Sequence, residues 1–159
     1  MISHKRLLEL ISYNPATGIF RHLGTGKVAG TPFKNGRYLG IRLDGKVYLA
    51  HRLAWFYMNQ KWPIVQIDHV DNVGRNNRIS NLREATCSQN RINSGAQKTS
   101  SSGIRGVHYA KHAKKFRAQC VKNGKTISLG YYESAIMAQE AYAKAVIEIH
   151  GVFAERHLP

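Results

Sequence analysis

Short apolar runs separated by turn residues fill the N-terminal third of the chain. Apolar positions 7, 8, 10 and 11 follow the spacing of an amphipathic helix. The Asp44-Gly45 pair, which separates two apolar segments, is a typical sequence of a two-residue β-hairpin turn. The predicted elements are a helix at 5–12, a strand beginning at 19–21, hairpin strands at 37–43 and 46–49, and a helix at 51–58.

The middle of the chain predicts a strand, a loop, a second strand and a short helix. Residues 64–70 suit the first strand and residues 82–85 suit the returning one. Thr86-x-x-Gln89 has the spacing of a capping box, which places the next residue in the first turn of a helix. Three polar side chains of this segment could therefore converge: those of Asp68, His69 and Asn90.

The C-terminal part predicts a small sheet covered by one helix. Asn123-Gly124 is a second hairpin signal, Ser134 suits the start of a helix, and Gly151 suits its end. The predicted strands are 106–109, 115–122 and 125–129. Three antiparallel strands packed on a helix are about the minimum for independent stability. The fold class predicted for the whole chain is α+β.

A change in composition predicts the domain boundary. Residues 93–103 are small and polar without an apolar period, which is typical of a flexible linker. We therefore expect three parts: a first domain at 1–96 with its chemical core at about 49–93, a linker at 97–103, and a second domain at 104–159.

The composition narrows the class of protein. The 159 residues include 43% hydrophobic ones, enough for a packed core. No apolar run reaches the roughly 18 residues of a membrane span, and no signal peptide is apparent at the N-terminus. Cys87 and Cys120 are too few and too far apart for a disulfide framework or a Cys-based zinc site.

Positive charge dominates both ends of the chain. The sequence has 24 Lys and Arg against 9 Asp and Glu, a formal net charge of +15. Residues 1–62 carry 10 basic and 2 acidic side chains, residues 63–97 carry 4 and 3, and residues 98–159 carry 10 and 4. Two basic flanks around a nearly neutral middle indicate a polyanionic partner, most simply nucleic acid.

The three polar side chains of the middle segment suit hydrolysis of a phosphodiester. A hard cation such as Mg²⁺ takes oxygen ligands, here one carboxylate and one amide oxygen. A neutral histidine beside it can accept a proton from the attacking water. The cation would stabilise the negative charge that develops on the phosphate and on the departing oxygen.

The segment from residue 67 to 90 reads I-D-H, then N-N-R-I-S-N-L-R-x-A-T, then Q-N. This sequence motif resembles that of the HNH (ββα-metal) nucleases, in their phage and homing-endonuclease branch. The resemblance implies that His69 is the general base and that Asn81 holds the loop and orients His69. It implies that Asp68 and Asn90 bind the metal, with Mg²⁺ or Mn²⁺ favoured over Zn²⁺. At position 72, where relatives often have Gly, this chain has Asn, which tolerates a left-handed backbone.

Residues 103–157 resemble the Apetala-type (ethylene-response-factor) DNA-binding domain. The resemblance rests on Arg105-Gly106-Val107, Phe116-Arg117-Ala118-Gln119, Leu129-Gly130-Tyr131-Tyr132, Ala138-x-x-Ala141-Tyr142 and Ile149-His150-Gly151. It implies that the sheet lies in the major groove. The period of two places Phe116, Ala118, Cys120, Ile127 and Leu129 towards the helix, and Arg117, Gln119, Val121, Thr126 and Ser128 outward. The outward Trp and several outward Arg of the plant pattern are absent, so we expect no sharp sequence specificity.

The residues predicted to contact DNA are basic or polar and lie on loops or the outward sheet face. They are Arg75, Arg78, Arg91, Arg105, His108, Lys111, Lys114, Lys115, Arg117, Gln119, Lys122, Lys125, Thr126 and Ser128.

Together, the two resemblances imply a metal-dependent endonuclease that hydrolyses phosphodiester bonds in double-stranded DNA. We expect a monomer or weak dimer, cytoplasmic in a bacterial or phage-infected cell, with no membrane partner. A non-catalytic DNA-binding regulator with a relic nuclease fold is the alternative, and an RNA- or ribosome-binding basic protein is a third. His51 and Arg52 leave two interpretations open: they face the scissile phosphate, or their helix packs on the nuclease unit.

Overall fold

The computed structural model describes residues 1–93, 102–122 and 124–157. Residues 97–101 of the predicted linker, and Asn123 of the second predicted turn, lie outside the described residues. The chain divides into two compact units, Met1–Cys87 and Ser88–Pro159. No helix in the described part of the chain is long and apolar enough to cross a membrane.

The first unit consists of two helices and three small antiparallel sheets. Its elements are α1 (His4–Leu10), β1 (Ile11–Asn14), β2 (Ile19–His22), β3 (Val28–Ala29), β4 (Thr31–Phe33), β5 (Tyr38–Leu43), β6 (Lys46–Leu49), α2 (Ala50–Asn59), β7 (Gln66–His69) and β8 (Leu82–Ala85). The sheets have the orders β1-β2-β3, β4-β5-β6 and β7-β8. The hairpin predicted at Asp44-Gly45 is confirmed: both residues have positive φ, 45° and 77°, as a type I′ turn requires.

The N-terminal helix is shorter than predicted. Ser3 caps α1 by accepting a hydrogen bond from the Arg6 amide, and the helix ends at Leu10 rather than at residue 12. Ile11 is extended and pairs with His22, so it begins β1 instead of continuing the helix. The prediction was wrong here because Ile11, which is fully buried, fits the apolar spacing of the helix and also the period of a strand.

One hydrophobic core holds the first unit together. Leu7 of α1, Phe20 of β2, Ile41 of β5 and Leu53 of α2 are almost completely buried in it. Ile67 of β7 and Leu82 of β8 belong to the same core. Each such side chain contributes about 1.5–3 kcal/mol through burial, so the β7–β8 hairpin is firmly attached to the rest of the unit.

The second unit is the predicted sheet covered by a helix. Its elements are α3 (Cys87–Asn93), which starts at the last residue of the first unit, β9 (Val107–Ala110), β10 (Lys115–Lys122), β11 (Lys125–Tyr132), α4 (Ala135–His150) and a 3₁₀ helix (Gly151–His157). The strands are antiparallel in the order β11-β10-β9. Ser134 caps α4 by accepting a hydrogen bond from the Met137 amide. The predicted α+β class and this three-stranded sheet are confirmed.

The core of the second unit lies between β10 and α4. Val107, Ala118 and Cys120 of the sheet meet Ala138 and Val146 of the helix, all of them buried. β11 runs three residues further than predicted, and its register with β10 shifts between Ala118 and Gln119. Such an irregularity is a β-bulge, which increases the local twist of the strands.

Candidate active site

The β7–β8 hairpin places two of the predicted site residues next to each other at the end of a strand. In its register Asp68 pairs with Arg83, and His69, the last residue of β7, pairs with Leu82. The side chains of Asp68 and His69 alternate across the strand, yet both residues are buried. A carboxylate and an imidazole at this depth need polar partners, because unpaired buried polar groups are costly.

The loop between β7 and β8 is held by a network of amide and carboxylate hydrogen bonds. The side-chain amide of Asn81 donates to Asp71 at 2.9 Å and to the main-chain carbonyl of Asn76 at 2.8 Å. Its Oδ1 accepts from the main-chain amide of Asp71 at 3.0 Å. Asn76 donates to the other Asp71 oxygen at 2.6 Å. Burial raises the pKa of Asp71, but the hydrogen bonds from Asn76, the Val73 amide and Asn81 outweigh it, so this pKa lies below its ordinary value.

Asn72 adopts the backbone conformation that the sequence suggested. Its φ is 61°, in the left-handed region, and its amide donates to the carbonyl of His69 at 2.9 Å. Asn is one of the few residues besides Gly that enters this region readily. The tight turn directly after His69 therefore forms without a glycine.

The imidazole of His69 lies among aromatic rings and one amide. Tyr38 stacks on it with ring centroids 6.0 Å apart, and Nε2 lies 3.3 Å from Oδ1 of Asn77. Burial lowers the pKa of His69; the Asn77 bond, Asp71 and Asp68 raise it, and Arg37 lowers it. The net shift is downward, so the ring is neutral near pH 7 and can accept a proton.

Asp68 forms an ion pair with Arg83. Nε of Arg83 donates to Oδ2 of Asp68 at 3.0 Å, and the exposed fractions of the two side chains are 18% and 3%. A charged carboxylate buried this deeply is tolerated because it is paired. The bond also fixes the carboxylate plane at the end of β7.

His51 and Arg52 of α2 have different surroundings. The His51 ring meets the His69 ring edge-on at a centroid distance of 5.0 Å, and its buried Nδ1 has no hydrogen-bond partner among the described residues. Burial, then His69 and Arg52, lower the pKa of His51 to about 3. Arg52 donates to the carbonyls of Pro63 and Val65, so it braces the chain that leads into β7.

Three residues of the site were not predicted from the sequence. Asn77 and Tyr38 contact His69, and Arg83 contacts Asp68. Asn77 lies inside the motif of residues 67–90, eight positions after His69. As a second asparagine besides Asn81 so near the proposed base, it could have been predicted to contact the imidazole. Arg83 could have been found from strand pairing, since it lies opposite Asp68. Nothing in the sequence marks Tyr38, which reaches the site only through the fold.

The predicted metal ligands are one carboxylate and one amide. Asp68 lies in β7 of the first unit, one residue before the strand ends, and Asn90 lies half-buried in α3, in the second unit. Among the described residues no three His, Cys, Asp or Glu side chains form a cluster that could hold a metal ion. Carboxylate and amide oxygens are the ligands of a hard cation that keeps several waters, whereas zinc sites use Cys and His.

In the second unit, the strand register places the predicted DNA readers on one face. Arg117 pairs with His108 on β9, and Gln119 pairs with Ser128 on β11. Thr126 pairs with Val121 and continues the same row. Directly paired residues of neighbouring strands share a face of the sheet. The turns at either end carry Lys111 and Lys114, and Lys122 and Lys125.

Several predicted contact residues already have partners within the protein. Lys115 forms an ion pair with Glu133 at 2.8 Å, and Arg105 donates to the hydroxyl of Tyr142 at 3.1 Å. Arg75 donates to the carbonyl of Gly36 at 2.6 Å, while Arg78 is exposed. Arg91, in α3, is exposed as well.

Two side chains of the sheet differ in burial from their predicted face. Nε of Arg117, on the predicted outward face, is buried without a hydrogen-bond partner in the described part of the chain. Ile127 was predicted to face the helix and pairs with the buried Cys120, but 37% of it is exposed.

Comparison with known proteins finds similarity to HNH endonucleases. Residues 48–92 match the family model of HNH endonucleases. The chain is also 32% identical, over 111 residues, to an uncharacterized HNH endonuclease of Acanthamoeba polyphaga mimivirus. That alignment includes 69% of this chain and 57% of the viral protein, so the chain spans little more than half of its relative. No solved structure matches significantly.

The segment similar to HNH endonucleases includes α2, the β7–β8 hairpin and nearly all of α3. The Apetala-type identity of the second unit stays a prediction.

Proposed function

We propose that the protein is a metal-dependent endonuclease that hydrolyses phosphodiester bonds in duplex DNA. The observation that carries this proposal is the buried imidazole of His69, which follows the ion-paired Asp68 in β7, within the segment that matches HNH endonucleases. Burial lowers the pKa of this imidazole. An imidazole that is neutral at pH 7 is ready to act as a base.

In the proposed reaction His69 takes a proton from the attacking water. The water oxygen forms a bond to phosphorus while the bond to the leaving oxygen of the DNA backbone breaks, and that oxygen gains a proton from solvent. Asn81 keeps the loop in place through its bonds to Asp71 and Asn76. Tyr38 and His51 exclude water from the sides of the His69 ring.

The proposed ligands of the cation are Asp68 and Asn90. When bound, Mg²⁺ would supply positive charge that stabilises the phosphate in the transition state. The HNH family as a whole is associated with a divalent metal; the choice of Mg²⁺, with Mn²⁺ as the second possibility, rests on the hard oxygen donors.

Duplex DNA is the proposed substrate because the chain carries a formal charge of +15 and the second unit offers an outward face with Gln119, Ser128 and Thr126. Lysines at both ends of this sheet would contact phosphates. The alternative of a non-catalytic DNA-binding regulator would use the same surfaces without cleavage.

A plasmid-nicking assay on the full chain tests the proposal. We expect cleavage with Mg²⁺ and none with a chelator. His69→Ala should lower the cleavage rate by about 10²–10⁴-fold while leaving DNA affinity unchanged, because the imidazole moves a proton and does not hold a phosphate. His22→Ala, outside the site, is the matched control and should retain cleavage.

Two results would count against the proposed function, and a third would count against the role of His69. DNA binding without cleavage in Mg²⁺ or Mn²⁺ would support the regulator, and tighter binding to RNA than to duplex DNA would support an RNA-binding protein. Cleavage that survives in His69→Ala would mean that another group activates the water.

A further inference from the structure

Asn77 is the most deeply buried polar residue near the candidate site. Only 1% of it is exposed, and it lies in the loop between β7 and β8. Its Oδ1 is 3.3 Å from Nε2 of His69. An amide buried at this depth needs hydrogen-bond partners, and those partners set the orientation of its two ends.

The orientation of the Asn77 amide follows from its other contact. Nδ2 of Asn77 donates to the main-chain carbonyl of Arg75 at 3.2 Å. A carbonyl oxygen only accepts hydrogen bonds, so the NH₂ end must face it. If the amide were reversed, Oδ1 of Asn77 would lie against the carbonyl oxygen of Arg75, and neither oxygen could donate a hydrogen bond. Oδ1 therefore faces the imidazole of His69.

This orientation determines which nitrogen of His69 carries the hydrogen. Oδ1 can only accept, so Nε2 must donate to it. A neutral imidazole has a single N–H, and the lone pair is then on Nδ1.

Asn77 cannot easily turn away from this position. The hydroxyl of Tyr13 in β1 donates to the main-chain carbonyl of Asn77 at 2.7 Å. The backbone at Gly18, in the turn before β2, packs so tightly that a Cβ there would lie 2.5 Å from the Asn77 carbonyl carbon. The β1–β2 hairpin thus holds the main chain of Asn77 in place.

We propose that Asn77 is a positioning residue that keeps His69 in the tautomer with hydrogen on Nε2, so that Nδ1 is the atom that takes the proton from water. The role in cleavage rests on the proposed function, whereas the tautomer is a property of the protein itself. The central Asn81 then holds the loop, and Asn77 holds the ring.

Nitrogen-15 NMR of the full chain, labelled in its histidine rings and free of metal, tests the tautomer directly. At about pH 8, well above the usual histidine pKa, His69 should show a protonated Nε2 and a lone pair on Nδ1. The Nε2 proton should exchange slowly with water because it is buried and bonded. Hydrogen on Nδ1 in the unaltered protein would overturn the proposal, without reference to any variant.

Three variants separate a positioning role from a merely structural one. Asn77→Leu removes the acceptor, so the Nε2 proton should exchange rapidly and the two nitrogen shifts should approach each other. Asn77→Asp keeps an acceptor and should retain the protected Nε2 proton. Asn59→Ala is the matched control, since Asn59 is an exposed amide at the end of α2, outside the loop that carries Asn77. Spectra of Asn77→Leu identical to those of the unaltered protein would overturn the proposal.

Kinetics give a second measurement. Asn77→Leu should lower kcat about tenfold or more and leave DNA affinity unchanged, whereas Asn77→Asp should retain most of kcat. A loss of affinity equal to the loss of kcat would mean that Asn77 acts only through folding. If the unaltered protein shows the expected tautomer but cleaves nothing, the proposed function fails while the assignment of the tautomer stands.

Discussion

Burial acts on the two imidazoles of the site in the same direction. The pKa of His51 falls to about 3 and that of His69 falls below its ordinary value, in both cases mainly through loss of solvent. Two neutral rings in edge-on contact at 5.0 Å avoid the repulsion that two imidazolium ions would suffer. The site is therefore built for the neutral form, which is the form a general base needs.

His51 should make the first unit sensitive to acid. Its pKa is about 3 in the folded protein and about 6.5 when unfolded, so the unfolded state binds the proton first. Above pH 6.5 the neutral His51 does not lower the free energy of unfolding. As the pH falls from 6.5 towards 3, the free energy of unfolding decreases by up to about 1.4 kcal/mol per pH unit because of His51. The His51→Phe variant should lack this contribution. Between pH 7 and pH 5 its free energy of unfolding should therefore fall by about 2 kcal/mol less than that of the unaltered protein.

Urea unfolding followed by tryptophan fluorescence measures this effect, because both tryptophans, Trp55 and Trp62, lie in the first unit. His69 contributes in the same direction in both proteins, so the difference between them isolates His51. Equal losses in the two proteins would contradict the buried neutral state of His51.

The proposed metal ligands give a second prediction for single residues. Asp68→Asn and Asn90→Ala should each raise the Mg²⁺ concentration needed for half-maximal cleavage, because each weakens or removes a hard-oxygen ligand. Asn59→Ala, an exposed amide at the end of α2, is the control and should leave that concentration unchanged. An unaltered metal requirement in both site variants would mean that the cation is held elsewhere.

Residues of the site differ in how well the sequence predicts them. Asp68, His69 and Asn81 belong to an ordered motif with fixed spacing, and the sequence identifies them without knowledge of the fold. Asn77 and Tyr38 act through burial and ring contact with His69. Such contacts depend on how three separate segments pack, which no local pattern encodes.

At the scale of elements, the β1–β2 hairpin supports the loop that carries Asn77. Tyr13 of β1 bonds the Asn77 carbonyl, and the Gly18 turn packs on the peptide bond between Asn77 and Arg78. α2 approaches from another side through His51. The β7–β8 loop therefore keeps its shape through contacts with elements more than 15 residues away in the chain.

Gly18→Ala tests this support. Gly18 has φ +74°, and a Cβ there would lie 2.5 Å from the Arg78 nitrogen and the Asn77 carbonyl carbon, both backbone atoms that cannot yield cheaply. Gly26→Ala is the matched control, with φ +66° and nothing within 4 Å. Both variants carry the left-handed cost of about 1–2 kcal/mol, and only Gly18→Ala adds the clash.

We expect Gly26→Ala to retain cleavage and to lose about 1–2 kcal/mol of stability. Gly18→Ala should lose clearly more stability in urea unfolding, and it should lose cleavage because the loop after His69 is displaced. Identical unfolding curves for the two variants would show that the β1–β2 hairpin does not brace the loop.

Local signals explain which elements the sequence predicted well. Asp44-Gly45 determines its own turn through positive φ at both residues, so the hairpin needs no distant contact. The end of α1 was placed wrongly because Ile11 suits a helix and a strand equally, and pairing with His22 decides between them. The change of register between β10 and β11 after Ala118 also depends on how the two strands pair, so the sequence of one strand does not predict it.

At the scale of the whole molecule, the positive charge is shared between the two flanks rather than concentrated in the HNH segment. Residues 98–159 hold 10 of the 24 basic side chains and 4 of the 9 acidic ones. Because every phosphate contact releases counterions, the salt dependence of DNA binding measures how many of these side chains take part.

A fragment of residues 1–96 should therefore bind DNA less tightly and with a weaker dependence on salt than the full chain. Each phosphate contact contributes about −0.9 to the slope of log affinity against log salt concentration. Since Lys115 and Arg105 are already bonded within the protein, we expect about half of the 10 removed side chains to contribute. The slope should then fall by roughly four to five units.

Tryptophan fluorescence checks that the fragment is folded, because both reporters lie within the first unit. A full chain that carries both Lys122→Gln and Lys125→Gln is the control. Its slope should fall by roughly two units. It should remain folded, because both lysines are exposed, one at the end of β10 and one at the start of β11. Equal slopes for the fragment, the double variant and the full chain would show that the second unit does not bind phosphates. The likeness of its sheet to a DNA-binding domain would then be one of architecture, and the 14 basic residues of residues 1–96 would have to supply the affinity.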